Sequence, residues 1–193
     1  MSLLRTFIAV EIPAPIRQTI QIKTETLRKM LGISLVRWVA MENVHLTLKF
    51  LGDISPANID SLTQMLHTEA DQISAFDMNI GGLGSFPSLR RPRVLFIGIQ
   101  APADLEALQR GIEAACARLG YESESRDFHP HLTLGRVRRD ISTSDQQKIR
   151  HAIEGTKIDS LGIARVDSVH LYKSDLKPSG SVYTKLYSAP LKP

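Results

Sequence analysis

Two identical tetrapeptides, His45-Leu46-Thr47-Leu48 and His131-Leu132-Thr133-Leu134, repeat one imidazole and one hydroxyl at the same spacing in separate parts of the chain. In an extended strand successive side chains alternate between faces, so each His shares a surface with its Thr while both Leu project the other way. The hydroxyl then lies about 7 Å along the strand from its imidazole. Two such strands side by side offer two imidazoles and two hydroxyls to whatever lies between them. With an ordinary pKa of roughly 6.5, one imidazole can be neutral while the other is charged near neutral pH. That pairing suits acid/base chemistry on a phosphate ester: a base for the attacking group, an acid for the departing oxygen, and hydroxyl donors for the non-bridging oxygens. The bland alternative is a pair of buried histidines in ordinary strands, which leaves an identical repeat of a rare residue to chance. A duplicated or pseudo-symmetric architecture explains it better.

Basic residues cluster at Arg90-Arg91-Pro92-Arg93 and at Arg136-Val137-Arg138-Arg139, the second just after the second tetrapeptide. A guanidinium there can hold phosphate oxygens in a bidentate way. Arg138 and Arg139 read as a solvated strand end. Arg136 is the better candidate, although its odd spacing from His131 puts it on the opposite face of a regular strand. A bulge or twist, which Gly135 makes possible, would have to bring it round. The net charge of +4 and pI near 9.3 lean towards an anionic partner.

The 193 residues, 42% hydrophobic and 23% charged, can bury one core, or two small lobes that share a cleft. The single cysteine, Cys116, falls in a stretch of helical periodicity and reads as a small buried hydrophobe. No disulfide is possible within one chain, which fits a reducing compartment. The apolar run Phe7-Ile8-Ala9-Val10 is too short for a signal segment or a membrane span. A cytoplasmic protein, expected to be a monomer, follows.

The first half reads as a strand over 6–12, a helix opened by Pro13 and Pro15 and ended by Gly32, a short strand over 36–39, and the first tetrapeptide strand running to Gly52. Ser55-Pro56 starts a second helix. Strands near 76–80 and 94–99 follow, joined by a loop holding Gly81, Gly82, Gly84, Pro87 and Pro92, a segment expected to link the halves. The second half reads as a helix over 103–119, the second tetrapeptide strand, a helix near 144–153, and strands near 163–172 and 181–187 about a turn at Lys177-Pro178-Ser179-Gly180. Such alternation predicts an α+β fold of antiparallel sheets with helices outside and a groove between the inner faces.

These motifs, with Arg5-Thr6-Phe7-Ile8-Ala9-Val10, the extensions Asn43 to Gly52, Phe86 to Phe96 and Phe128 to Arg136, and the ending Leu171-Tyr172-Lys173-Ser174 with Tyr183, resemble the 2H phosphoesterase superfamily. The likeness is to its RNA 2′,3′-cyclic phosphodiesterases, formerly called 2′-5′ RNA ligases, and spans nearly the whole chain. It implies one domain over 1–193 of two intertwined lobes, bilobal and pseudo-twofold, with one motif from each lobe facing a central cleft. The implied reaction is hydrolysis of an RNA 2′,3′-cyclic phosphate end to a 2′-phosphomonoester without metal or other cofactor, with reversible 2′-5′ RNA ligation when a 5′-hydroxyl attacks in place of water. By this resemblance His45 is the proton donor, His131 the acceptor, and Thr47, Thr133 and Arg136 bind substrate. Among other residues, Phe7, Phe50, Trp38 and Tyr172 could stack on a terminal base but more often such aromatics pack a core. His67 and His151 read as surface histidines, and His170 stays ambiguous. Two rival functions remain: a metal-dependent hydrolase holding a metal on His129, His131 and His45, and a module that binds RNA ends without cleaving them.

Overall fold

The computed structural model describes residues 2–178 and 180–193, so Ser179 of the turn expected at 177–180 lies outside the described residues. The elements run β1 (Leu4–Glu11), α1 (Ala14–Leu35), β2 (Val36–Trp38), β3 (His45–Ile54), α2 (Ile59–Ala70), β4 (Phe76–Phe86), β5 (Val94–Gln100), α3 (Ala103–Arg118), β6 (His131–Val137), α4 (Thr143–Gly155), β7 (Ser160–Val166), β8 (Ser168–Lys177) and β9 (Gly180–Pro190). All strand pairings between them are antiparallel.

One nine-stranded sheet divides at a central seam into two four-stranded sheets that correspond strand by strand outward, β3-β1-β8-β9 on one side and β6-β5-β4-β7 on the other, with β2 paired to β6 off this path. They meet through a single residue pair, Leu46 with Leu132, so each tetrapeptide strand lies at the seam. The connection from β7 to β8 is one residue, Asp167, although these strands belong to different sheets. The combined sheet must therefore curl back on itself. Helices cover the outer face and exchange sides: α1 follows β1 yet packs on β2 and β7, while α3 follows β5 yet packs on β3.

Why these residues form these elements follows from their spacing. In α1 the buried positions Ile16, Ile20, Thr24, Leu27, Leu31 and Leu35 recur every three or four residues and make one stripe. Ser142 and Asp145 close a reciprocal capping box at the start of α4. The strand residues Ile8, Val10, Leu46, Leu48, Leu132 and Leu134 meet the helices on the outer face, all at most 4% exposed. Each such side chain contributes roughly 1.5–3 kcal/mol relative to exposure.

Three expectations need correction. Gly32 does not end α1 but kinks it, at φ 59°, and a further turn carries the chain to Leu35. The glycines at 81, 82 and 84 belong to β4 and not to a loop; the strand passes through them with an irregularity between Ile80 and Leu83, and β4 and β5 both lie in the second sheet. At Gly84 the reason is a close approach, since a Cβ there would meet the Phe96 ring at 2.5 Å. The stretch from 163 to 172 is two strands, broken at Asp167 where the chain changes sheets.

Candidate active site

His45 and His131 are the first residues of β3 and β6. Continuing the antiparallel register from Leu46–Leu132 by one residue either way sets His45 across from Thr133 and Thr47 across from His131. All four project to the inner face, half-buried, while the four leucines fill the outer core. In an ideal pair such diagonal neighbours stand about 7–8 Å apart. Among the described residues β3 and β6 share no ladder pair beyond Leu46–Leu132.

Each imidazole is held in the same way. His45 Nδ1 lies 2.7 Å from the Asn43 carbonyl, and His131 Nδ1 lies 2.7 Å from the His129 carbonyl. A carbonyl only accepts, so Nδ1 carries the proton in both rings and Nε2 is left for chemistry. Aromatic rings hold the other sides. Phe7 stacks on His45 at 4.8 Å between centroids and Tyr183 meets it edge-on at 5.2 Å. Phe86 and Phe96 meet His131 edge-on at 4.9 and 5.5 Å.

This packing explains the protonation behaviour. Burial pushes the pKa of His45 below the usual imidazole value, the Asn43 carbonyl opposes the shift, and the charge of His131 adds to it. Burial likewise lowers His131, against the His129 carbonyl, and the nearby charges of Arg136 and His129 lower it further.

Arg136 reaches the site through a bulge. The β5–β6 register shifts so that Leu95 faces Gly135 while Phe96 faces Thr133, which leaves Leu134 as the extra residue. Leu134 and Gly135 are consecutively buried and Arg136 emerges exposed on the face of His131 and Thr133. The same device recurs after the first motif, where Leu48 and Lys49 are consecutively buried and Phe50 emerges 64% exposed. Arg136 and Phe50 are thus counterparts across the seam.

Other candidates go elsewhere. Arg138 donates from Nε to the Ile33 carbonyl at 2.8 Å, and Arg90, Arg91, Arg93 and Arg139 are exposed. Trp38 packs against the main core under the Arg28 guanidinium. Phe7 and Tyr172 are buried in a small inner-face cluster with Ala9. His67 and His151 are exposed. His170 is buried, with Nδ1 2.6 Å from the Ser188 hydroxyl. Cys116 is buried in α3, which raises its thiol pKa to about 11. The imidazole of His129 is exposed, and among the described residues no three His, Cys, Asp or Glu side chains converge as a metal site. Sequence reasoning missed the supports: Asn43 and His129, both two residues before a motif His, and the rings of Phe86, Phe96 and Tyr183. The shared offset of minus two was the available signal.

A family model described as the 2′-5′ RNA ligase superfamily matches residues 18–178. The chain belongs to that superfamily. Superfamily relatives named RNA 2′,3′-cyclic phosphodiesterase include one from Methanothermobacter thermautotrophicus, 31% identical, covering 94% of this chain and 96% of that protein. Another, from Methanocaldococcus jannaschii, is 32% identical, covering 93% and 96%. Among solved structures, E. coli LigT complexed with 3′-AMP superposes with a TM-score of 0.78 at 27% identity over 99% of both chains. The TT0787 protein of Thermus thermophilus superposes at 0.79 with 26% identity, over 97% of this chain and 98% of that one. Among the described residues no helix is long and apolar enough to cross a membrane.

Proposed function

We propose that this protein hydrolyses 2′,3′-cyclic phosphate ends of RNA to 2′-phosphomonoesters, with His45 as proton donor and His131 as proton acceptor and without a metal. The observation that carries the reading is the twin placement of two imidazoles across the Leu46–Leu132 seam, each with Nδ1 fixed on a carbonyl and Nε2 left over. Family membership and the names of the relatives point the same way.

The electrostatics support the division of labour. Burial lowers the pKa of both imidazoles, and at His131 the Arg136 cation disfavours a proton further, so in this reading its Nε2 takes the proton of the attacking water. The water oxygen bonds to phosphorus as the bond from phosphorus to O3′ breaks. With His131 neutral, the one charge that depresses His45 is gone, and the bound phosphodiester anion favours imidazolium there. His45 Nε2–H then protonates O3′. The hydroxyls of Thr47 and Thr133 donate to the non-bridging oxygens, and Arg136 offsets their charge. Ligation is the same path with a 5′-hydroxyl in place of water: its oxygen bonds to phosphorus as the bond to O3′ breaks, His131 takes its proton and His45 protonates O3′.

The test is conversion of a 2′,3′-cyclic nucleotide to its 2′-phosphate. His45→Ala and His131→Ala should each lose at least ~100-fold in kcat. Full turnover in either variant removes that histidine from the mechanism. Activity that disappears in excess chelator and returns with a divalent ion would favour the metal reading, and binding of RNA ends without turnover would favour the binding module.

A further inference from the structure

The β2 strand has three residues and pairs with β6 at Val36–Val137, Arg37–Arg136 and Trp38–Gly135. Val36 and Val137 are both buried in the core, so Arg37 and Arg136, directly opposite each other, project together to the inner face and are exposed. Like charges directly opposite in an antiparallel pair repel. Among the described residues neither guanidinium lies within 4.0 Å of a carboxylate. An unrelieved pair of this kind wants an anion.

The surroundings hold it rigidly. The Trp38 indole donates to the Gly32 carbonyl at 3.0 Å, and the Arg28 guanidinium covers that ring at 4.8 Å. Val39 N donates to the Leu134 carbonyl and Arg138 N to the Leu35 carbonyl, which ties β2 to β6 at both ends. Gly135 makes the approach possible: a Cβ there would meet Val36 Cγ1 at 2.6 Å and the Arg37 carbonyl at 3.1 Å.

Resting on the function proposed above, we infer that Arg37 is a specificity residue that binds the RNA backbone phosphate next to the cyclic one. Arg136 lies close enough to His131 for its charge to act on that imidazole, and Arg37 stands one strand across from Arg136. A substrate reaching from the histidines past Arg136 meets Arg37 with its next anionic group. A cyclic mononucleotide has no such group. RNA ends are thereby preferred over free cyclic nucleotides.

The measured quantity is the ratio of kcat/KM for a short RNA with a cyclic phosphate end to kcat/KM for the cyclic mononucleotide. Arg37→Gln should lower this ratio about tenfold, through KM for the RNA, as expected for loss of a charge-assisted hydrogen bond. Binding of the same RNA ending in a 2′-phosphate should lose about 0.7 from its log–log salt slope. Arg37→Lys should keep that slope and recover part of the ratio. Arg139→Gln is the control and should match wild type. The thermal midpoint of Arg37→Gln should not fall, because one of two repelling charges is gone. An unchanged ratio, or equal losses on both substrates, overturns the inference. If wild type turns over neither substrate, the proposed function fails by itself, and binding decides on Arg37. Wild type must then prefer the 2′-phosphate-ended RNA to the 2′-phosphorylated mononucleotide, and Arg37→Gln must abolish that preference.

Discussion

At the scale of single residues, the two motif histidines begin below the ordinary imidazole pKa for the same first reason, burial among aromatic rings. The proposed chemistry needs one ring charged and one neutral, and the charge of His131 disfavours a proton on His45. The pH profile of kcat/KM, which reports the free enzyme, should be bell-shaped with its optimum below about 6.5. A bound phosphodiester anion favours imidazolium and moves the alkaline limb of kcat to higher pH. Initial rates from pH 4.5 to 8.5 check both points; an alkaline limb of kcat/KM above pH 7 would contradict the burial argument. Asn43 matters at this scale because its carbonyl fixes His45 while its side-chain amide donates to the Ser181 carbonyl at 2.8 Å. Asn43→Ala should lower kcat more than it raises KM, since the anchor of the proposed acid loosens and the substrate contacts stay.

At the scale of elements, two bulges aim the residues that follow each motif, and the first of them buries a charge. Lys49 is 5% exposed and bonds at 2.6 Å to both the Glu113 carboxylate in α3 and the Glu122 carbonyl. The same carboxylate oxygen accepts from Glu124 N, so this pair pins the segment that leads into β6. Removing one partner strands the other charge. Lys49→Ala should therefore cost about 3–5 kcal/mol, and the double variant Lys49→Met with Glu113→Leu considerably less than the sum of its parts. Urea midpoints of the two single variants and the double variant check this; additive losses would mean that the pair is not coupled.

At the scale of the molecule, the curled sheet buries three histidines whose pKa values are depressed: His45, His131 and His170, in each case by burial first. The unfolded chain binds more protons than the fold wherever the pH lies between those depressed values and about 6.5. Their contribution to stability is complete above about 6.5 and is lost as pH falls through the folded values. Denaturant midpoints should be level between pH 8 and 7 and decline from about 6.5 downward. A midpoint that rises on acidification through pH 6 would show that the buried rings are not the dominant titrating groups. The carboxylates of Glu11 and Asp145 act in the same direction at lower pH. Burial raises the pKa of Glu11, but the Tyr172 hydroxyl and Lys185 ammonium outweigh it; hydrogen bonds from Ser142 lower that of Asp145.

Much of this was legible in the residues. The period of two in each His-Leu-Thr-Leu fixed which side chains share a face, and the stripe from Ile16 to Leu31 marked a helix, because both depend only on local backbone geometry. Gly32 and the glycines of β4 misled for the opposite reason: a glycine marks a turn or a close approach equally well, and only the Phe96 ring above Gly84 tells which. The seam at Leu46–Leu132, the bulge that turns Arg136 inward and the opposition of Arg37 to Arg136 are pairings between distant segments. The sequence by itself determined which chemical groups were available and how each sat on its own strand. Only the tertiary structure decided which of them meet, since strand register is set by the packing of the whole core.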